Sequence, residues 1–124
     1  MALISNLGEI TLYRGDCFQV PLFINIGSEE TPVRFDFKKF KDLEMEIYLG
    51  VYLPNASFEQ SFIRKMFTYE DSNDFGDIIV KIDPQDTLYV PSGSYKYTIK
   101  ARMVDPIDGE WVSTLVDKNT FKII

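Results

Sequence analysis

Histidine is absent from this 124-residue chain, and cysteine and tryptophan occur once each, as Cys17 and Trp111. The commonest general base and metal ligand is therefore missing, and one cysteine builds neither an internal disulfide nor a cysteine-rich zinc site. Histidine-based triads and zinc hydrolysis are excluded. Cys17 is the one thiol left to weigh as a nucleophile, but a reactive thiol needs an electropositive setting, and Asp16 beside it has the wrong charge. A structural thiol is the expectation. Basic residues are also in short supply: 13 Lys and Arg stand against 19 Asp and Glu, a net charge of −6, which opposes binding to nucleic acid. No apolar run approaches the ~18 residues that cross a bilayer. The opening "MALISNLGEI" lacks the basic and apolar regions of a secretory signal, so folding in a reducing cytoplasm without a membrane partner is expected. No glycine-rich phosphate loop, internal repeat or low-complexity linker is present.

Three local stretches need separate treatment. In "RFDFKKFK", residues 34 to 41, Arg34, Lys38, Lys39 and Lys41 interleave with Phe35, Phe37 and Phe40, a composition that stacks bases in single-strand binders. The stretch is short and sits among Asp36, Asp42, Glu44 and Glu46, so a solvated connection anchored by phenylalanines is the preferred reading. "DSNDFGD" gathers Asp71, Asp74 and Asp77 near Gly76. A calcium loop wants oxygen ligands at alternate positions and a glutamate at the twelfth, where this chain has Phe75 and Ile82, so a solvated turn is expected and no metal or other cofactor. "NAS", residues 55 to 57, matches a glycosylation sequon but reads as a turn.

What the chain does have is aromatic residues, 15% of the total within a 45% apolar composition, a bias toward strands. At this length one domain spanning residues 1–124 is expected, burying about two-thirds of the surface its unfolded form exposes. The clearest period lies at "GSYKYTIKARMV", where Tyr95, Tyr97, Ile99, Ala101 and Met103 alternate with Lys96, Thr98, Lys100 and Arg102. That is a strand with one dry face and one wet face. "DPIDGEW" then reads as a hairpin turn, with Pro106 presetting φ and Gly109 supplying a positive one, before "EWVSTL" resumes as a strand and "TFKII" closes the chain.

At the other end "EITLY" and "DCFQVPLFINI" flank Arg14-Gly15, and this Arg-Gly-Asp stretch reads as a hairpin turn between them. The second strand would put Phe18, Val20, Leu22, Ile24 and Ile26 on one face, with Pro21 at an edge or bulge. "EMEIYLGVYL" sends Met45, Ile47, Leu49, Val51 and Leu53 one way and Tyr48 and Tyr52 the other. "FEQSFIRKMF" fits a helix as well as a strand, and Ser57 with Gln60 would make a capping box; its strand neighbours favour a strand. "DIIVKI" is a compact strand. In "DPQDTLYVPSG", Asp83 suits an N-cap, Pro84 the first helical position and Asp86 the first turn of a short helix near residues 84–88.

About eight strands with turn signals roughly every 8 to 12 residues predict an all-β fold, a Greek-key β-sandwich. "PSGSYKY" falls at a corner between sheets, where Tyr95 would act as a tyrosine corner bonding back to main chain. Tyr97 would then replace a disulfide cysteine with aromatic packing. Phe23, Tyr48 and Tyr52 oppose the main core stripes, and Trp111 lies in the terminal hairpin; exposed together, they would form a partner-contact surface. No catalytic constellation is recognised.

The C-terminal half carries a strand, then Pro84, Asp86 and Thr87, then Pro91, Gly93, Tyr95 and Tyr97, then Asp105 and Gly109, and a closing Thr120-Phe121. This order resembles small immunoglobulin-like domains of tailed-phage virion proteins, of the type at the N-terminus of upper baseplate proteins and in head and tail fibres. "ITLYRGDCFQVPL" is similar to the way such domains open; residues 27 to 75 fit only loosely. The resemblance implies a non-enzymatic virion protein, made in the host bacterial cytoplasm. Its partners would be copies of itself, as a homo-oligomer, and other virion proteins of capsid or tail. Such domains often carry a longer fibre, and since this chain ends at Ile124, a distal appendage is expected from another polypeptide. A head-fibre or capsid-decoration subunit is the first expectation. The alternatives are a tail or baseplate adaptor and a carbohydrate- or receptor-binding module.

Overall fold

Alternation of apolar and polar residues turns most of this chain into strands, and a computed structural model describes residues 3–5, 7–27, 32–34, 36, 45–105 and 109–124. Among the described residues the strands are β1 (Leu3–Ser5), β2 (Ile10–Leu12), β3 (Phe18–Leu22), β4 (Ile24–Gly27), β5 (Pro32–Arg34), β6 (Glu46–Tyr52), β7 (Ile63–Phe67), β8 (Ile78–Ile82), β9 (Gly93–Asp105) and β10 (Gly109–Ile123). A single helical turn, α1 (Pro84–Thr87), separates β8 from β9. The strands pair in three sets: β2-β10-β9-β6-β7, β3-β8 and β1-β4-β5. The fold is all-β and sandwich-like.

The core lies between the five-stranded sheet and the β3-β8 pair. Ile47, Leu49 and Val51 of β6, Tyr95, Tyr97, Ile99 and Ala101 of β9, and Phe121 and Ile123 of β10 join one buried cluster with Leu22 of β3 and Ile78, Val80 and Ile82 of β8. Every second residue of β8 and β9 faces inward, as the period-2 reading requires. Removing each such side chain from water contributes roughly 1.5–3 kcal/mol. At the centre the Tyr97 ring meets Phe121 edge-on, with centroids 6.3 Å apart, and its hydroxyl donates to the Gly8 carbonyl. Burial pushes the Tyr97 phenol up to about 12.

Sequence signals at the crossover hold. Asp83 N–H donates to Asp86 Oδ2 at 2.7 Å, opening α1 with Pro84 in its first turn, and the chain passes from β8 to β9 in the other sheet. The Tyr95 hydroxyl donates to the Pro91 carbonyl at 2.6 Å, the tyrosine corner anticipated from the sequence. Lys65 of the edge strand β7 ties to the same corner, 2.7 Å from Asp83 Oδ2 and 2.9 Å from Asp86 Oδ2. Partial burial pulls the Lys65 ammonium down, but the hydrogen bonds and charges of the two aspartates outweigh this and hold its pKa above the usual value. The Lys65 hydrogen bond likewise holds Asp83 below the usual carboxylate range.

Several expectations change. Arg14-Gly15-Asp16 is a turn, with Asp16 N–H on the Tyr13 carbonyl at 3.0 Å and Gly15 at φ +83°, but it is not a hairpin. β2 pairs in parallel with β10, while β3 pairs with β8, so the turn carries the chain from one sheet to the other. It is pinned on both sides: Arg14 N–H donates to the Ile124 carbonyl at 3.1 Å, and Gly15 N–H to Thr87 Oγ1 of α1 at 2.9 Å. The apolar run after it is two strands, broken at Phe23, because β3 and β4 join different sheets. Pro21 lies opposite Ile79 in a two-stranded pair, where the missing N–H disrupts no second ladder.

"FEQSFIRKMF" satisfies both of its readings in turn. Ser57 N–H donates to Gln60 Oε1 at 3.1 Å and starts a 3-10 turn at Phe58–Gln60, after which Ile63–Phe67 is the strand β7. The terminal hairpin forms, with Gly109 opposite Asp105 at φ +83°, while Pro106 and Asp108 lie outside the described residues. "EWVSTL" and "TFKII" are one strand rather than two. Register shifts between Thr114 and Asn119 allow Leu115 and Val116 to be buried in succession, which a regular strand forbids. Of "RFDFKKFK", only Arg34 and Asp36 are among the described residues.

Candidate functional site

The outer face of the five-stranded sheet is fixed by register. Tyr48 stands opposite Met66 of β7 and Lys100 of β9; Gly50 stands opposite Arg64 and Thr98; Tyr52 stands opposite Lys96. Residues paired in this way share a face, so aromatic, thioether and cationic groups collect on the side away from the core.

A 3-10 turn then folds back over this face. After β6, Ala56 N–H closes a turn on the Leu53 carbonyl at 2.9 Å, and the chain returns through Phe58–Gln60 so that the Phe58 ring lies on Gly50. A Cβ at position 50 would stand 2.7 Å from that ring and also collide with Ser61 Oγ. Glycine is required here for close approach, not for dihedral freedom. Arg64 secures the turn from below, with Nε on the Ser61 carbonyl at 3.0 Å and Nη2 on the Glu59 carbonyl at 2.7 Å. Lys100 Nζ sits 4.8 Å from the centre of the Phe58 ring, within cation–π range.

Between the turn and the strands runs an open groove of about 540 Å³, lined by Tyr48, Leu49, Gly50, Phe58, Glu59, Ser61, Arg64, Lys65, Met66 and Lys100. With Lys65 committed to Asp83 and Asp86, Arg64 and Lys100 face one opposing charge among the described residues that line it, Glu59. A hydrogen bond from its own backbone, and then one from Ser57, hold the Glu59 carboxyl below its ordinary value. Beyond the groove Arg102 bridges Glu110 at 3.0 Å and Glu46 at 3.7 Å, and the Tyr48 hydroxyl donates to Glu46. This arrangement offers ring faces, a flexible thioether and cations to whatever packs on it.

Of the four aromatic residues expected to form a contact surface, the three whose side chains are described, Phe23, Tyr48 and Tyr52, take different places. Tyr48 is half-buried and lines the groove. Tyr52 is a correction: it is 2% exposed, because the irregularity in β10 brings Lys118 N–H onto Thr98 Oγ1 at 3.2 Å, and the Tyr52 hydroxyl pairs with that same oxygen at 2.7 Å. Phe23 lies half-buried at the β3–β4 break. Trp111 stands opposite Met103 in β10; its side chain lies outside the described residues. Phe58, Arg64, Met66 and Lys100 were missed as site residues. The available signal was Gly50, a glycine in mid-strand, which marks an approaching backbone or ring.

Elsewhere the candidate chemistry resolves into turns. Asn73 Oδ1 accepts from the N–H groups of Phe75 and Asp77 at 2.9 and 3.0 Å, and Asp71 Oδ2 accepts from Thr68 N–H at 2.8 Å. Cys17 is exposed. The sequence matches no family model and no curated protein.

Proposed function

We propose that this chain is a non-enzymatic structural subunit of a tailed-phage virion, a head-fibre or capsid-decoration protein that assembles with copies of itself and with capsid proteins. The observation that carries the reading is the outer sheet face: an open groove of about 540 Å³ whose aromatic and thioether lining suits packing against another protein surface. The resemblance to virion immunoglobulin-like domains supplies the biological setting. Residues behind that resemblance have structural work to do here: Tyr95 bonds to Pro91, Tyr97 and Phe121 fill the core, and Asp86 accepts the Asp83 N–H that starts α1. The sheet order β10-β9-β6-β7, with Tyr95 bonded back to Pro91 after a short helical connection, supports reading the sandwich as immunoglobulin-like.

Mass spectrometry of purified virions tests the proposal. The chain is expected among the virion proteins at a copy number matching the capsid lattice or its vertices, and antibody labelling is expected on the head. Absence from purified particles overturns the reading, and labelling of the tail alone moves the protein to a tail or baseplate adaptor.

A further inference from the structure

The groove on the outer face has a counterpart on the same chain. Between β7 and β8, Phe75 projects from the loop with 78% of its surface exposed, more than any other phenylalanine among the described residues, and so leaves a large apolar ring in water. Its geometry is set rather than loose: Asn73 Oδ1 holds the Phe75 N–H at 2.9 Å, and Gly76 turns the chain at φ +82° with Asp36 against it. Glu70, Asp71 and Asp74 are exposed in the same loop. The tip is therefore an exposed ring in an acidic loop, while the groove is an aromatic pocket in which, among the described residues, Arg64 and Lys100 outweigh Glu59.

We propose that the acidic Phe75 tip of one copy docks into the Tyr48–Phe58–Met66 groove of a second copy, so that subunits join head to tail. This rests on the reading of the chain as an assembling structural subunit and supplies its contact. Charge complementarity selects the occupant. In a chain of net charge −6, the groove is a locally cationic apolar surface, and the Phe75 loop presents the matching acid and ring. A central aromatic anchor with a charged rim is the usual distribution of binding energy at an interface. Because the two surfaces are different patches, the contact is heterologous and propagates into a ring or a filament rather than stopping at a two-fold dimer.

Sedimentation velocity over a concentration series tests this with two variants whose changes lie outside the core. Phe75→Lys removes the anchor, and Met66→Glu with Lys100→Glu spoils the groove; circular dichroism and thermal melts check that both fold like wild type. Wild type is expected to grow in mass with concentration, and to do so less at high salt, where exposed charges are screened. Each variant alone stays at the 14.4 kDa of the monomer. An equimolar mixture forms a one-to-one dimer and goes no further, because only one tip and one groove remain to pair. A wild type that stays monomeric throughout, a variant that keeps the wild-type mass distribution, or a mixture that stays monomeric overturns the contact. The structural reading falls separately, by absence from virions; a monomer in solution that is present in particles removes this contact and leaves that reading standing.

Discussion

On the inner face of the five-stranded sheet, Ile47, Leu49, Val51, Tyr97, Ile99 and Phe121 are all but sealed from water; the residues between them, on the same strands, form the open and charged outer face. The inner face is closed by another sheet and filled edge to edge. Among the described residues the outer face is covered in patches, by a 3-10 turn over Gly50 and by the β10 irregularity over Tyr52. Inward packing there tolerates little change, whereas the outer face is a set of local covers with a groove left between them. Stability is therefore expected to reside on one side of the sheet and recognition on the other.

The largest break in this comparison is on the inner side. Phe121→Ala empties a fully buried site against Tyr97 and is expected to cost about 3–5 kcal/mol. Met66→Ala, at a position 54% exposed on the outer face, is expected to change stability by no more than about 0.5 kcal/mol. Urea denaturation of the two variants measures both. Equal losses would mean that the outer face is part of the core rather than a free surface.

Alkaline titration sharpens the same contrast without a mutation. Burial raises the Tyr97 phenol from its ordinary 10.0 to about 12, so the fold favours the neutral form. That contribution is complete below pH 10 and is lost as pH rises toward 12, a loss of about 3 kcal/mol for a shift of this size. Lys65, also raised, acts in the same direction. Stability is expected to hold up to about pH 10 and then fall, with a late phase in phenolate absorbance that Tyr97→Phe removes. A late phase unchanged by Tyr97→Phe, with the protein still folded, would show that Tyr97 is accessible.

The inner face could be read directly from the sequence because alternation is a local property. Tyr95, Tyr97, Ile99 and Ala101 point inward whatever strand lies beside them, and Asp83, Pro84 and Asp86 start their turn with side chains only three residues apart. Pairing across the chain is not local. Nothing near Arg14-Gly15-Asp16 announces that β2 runs parallel to a strand more than 100 residues away, so the turn looked like a hairpin. Tyr52 belongs to the same class. Its place in the alternation puts it on the wet side, and only the register shift in β10, with Lys118 at φ +51°, covers it. The groove was hidden for the same reason, since Phe58, Arg64, Met66 and Lys100 come from three segments and meet only through register.

Gly50 joins the two faces, and changing it gives a smaller effect than emptying the Phe121 site, but a more specific one. Its strand packs Leu49 and Val51 inward, while its missing side chain lets the Phe58 ring rest on the outer surface. In Gly50→Ala the new methyl group meets that ring and Ser61 Oγ, forcing the 3-10 turn outward at a cost of about 1–3 kcal/mol, with the inner core unchanged. The ring's displacement also breaks its contact with Lys100. A double-mutant cycle isolates this cause. If Phe58 is what the methyl displaces, Phe58→Ala costs less in the Gly50→Ala background than in wild type, with a coupling of at least about 0.5 kcal/mol. Strict additivity would mean that position 50 is not held open for the ring, and the outer face would then lack the cover that shapes its groove.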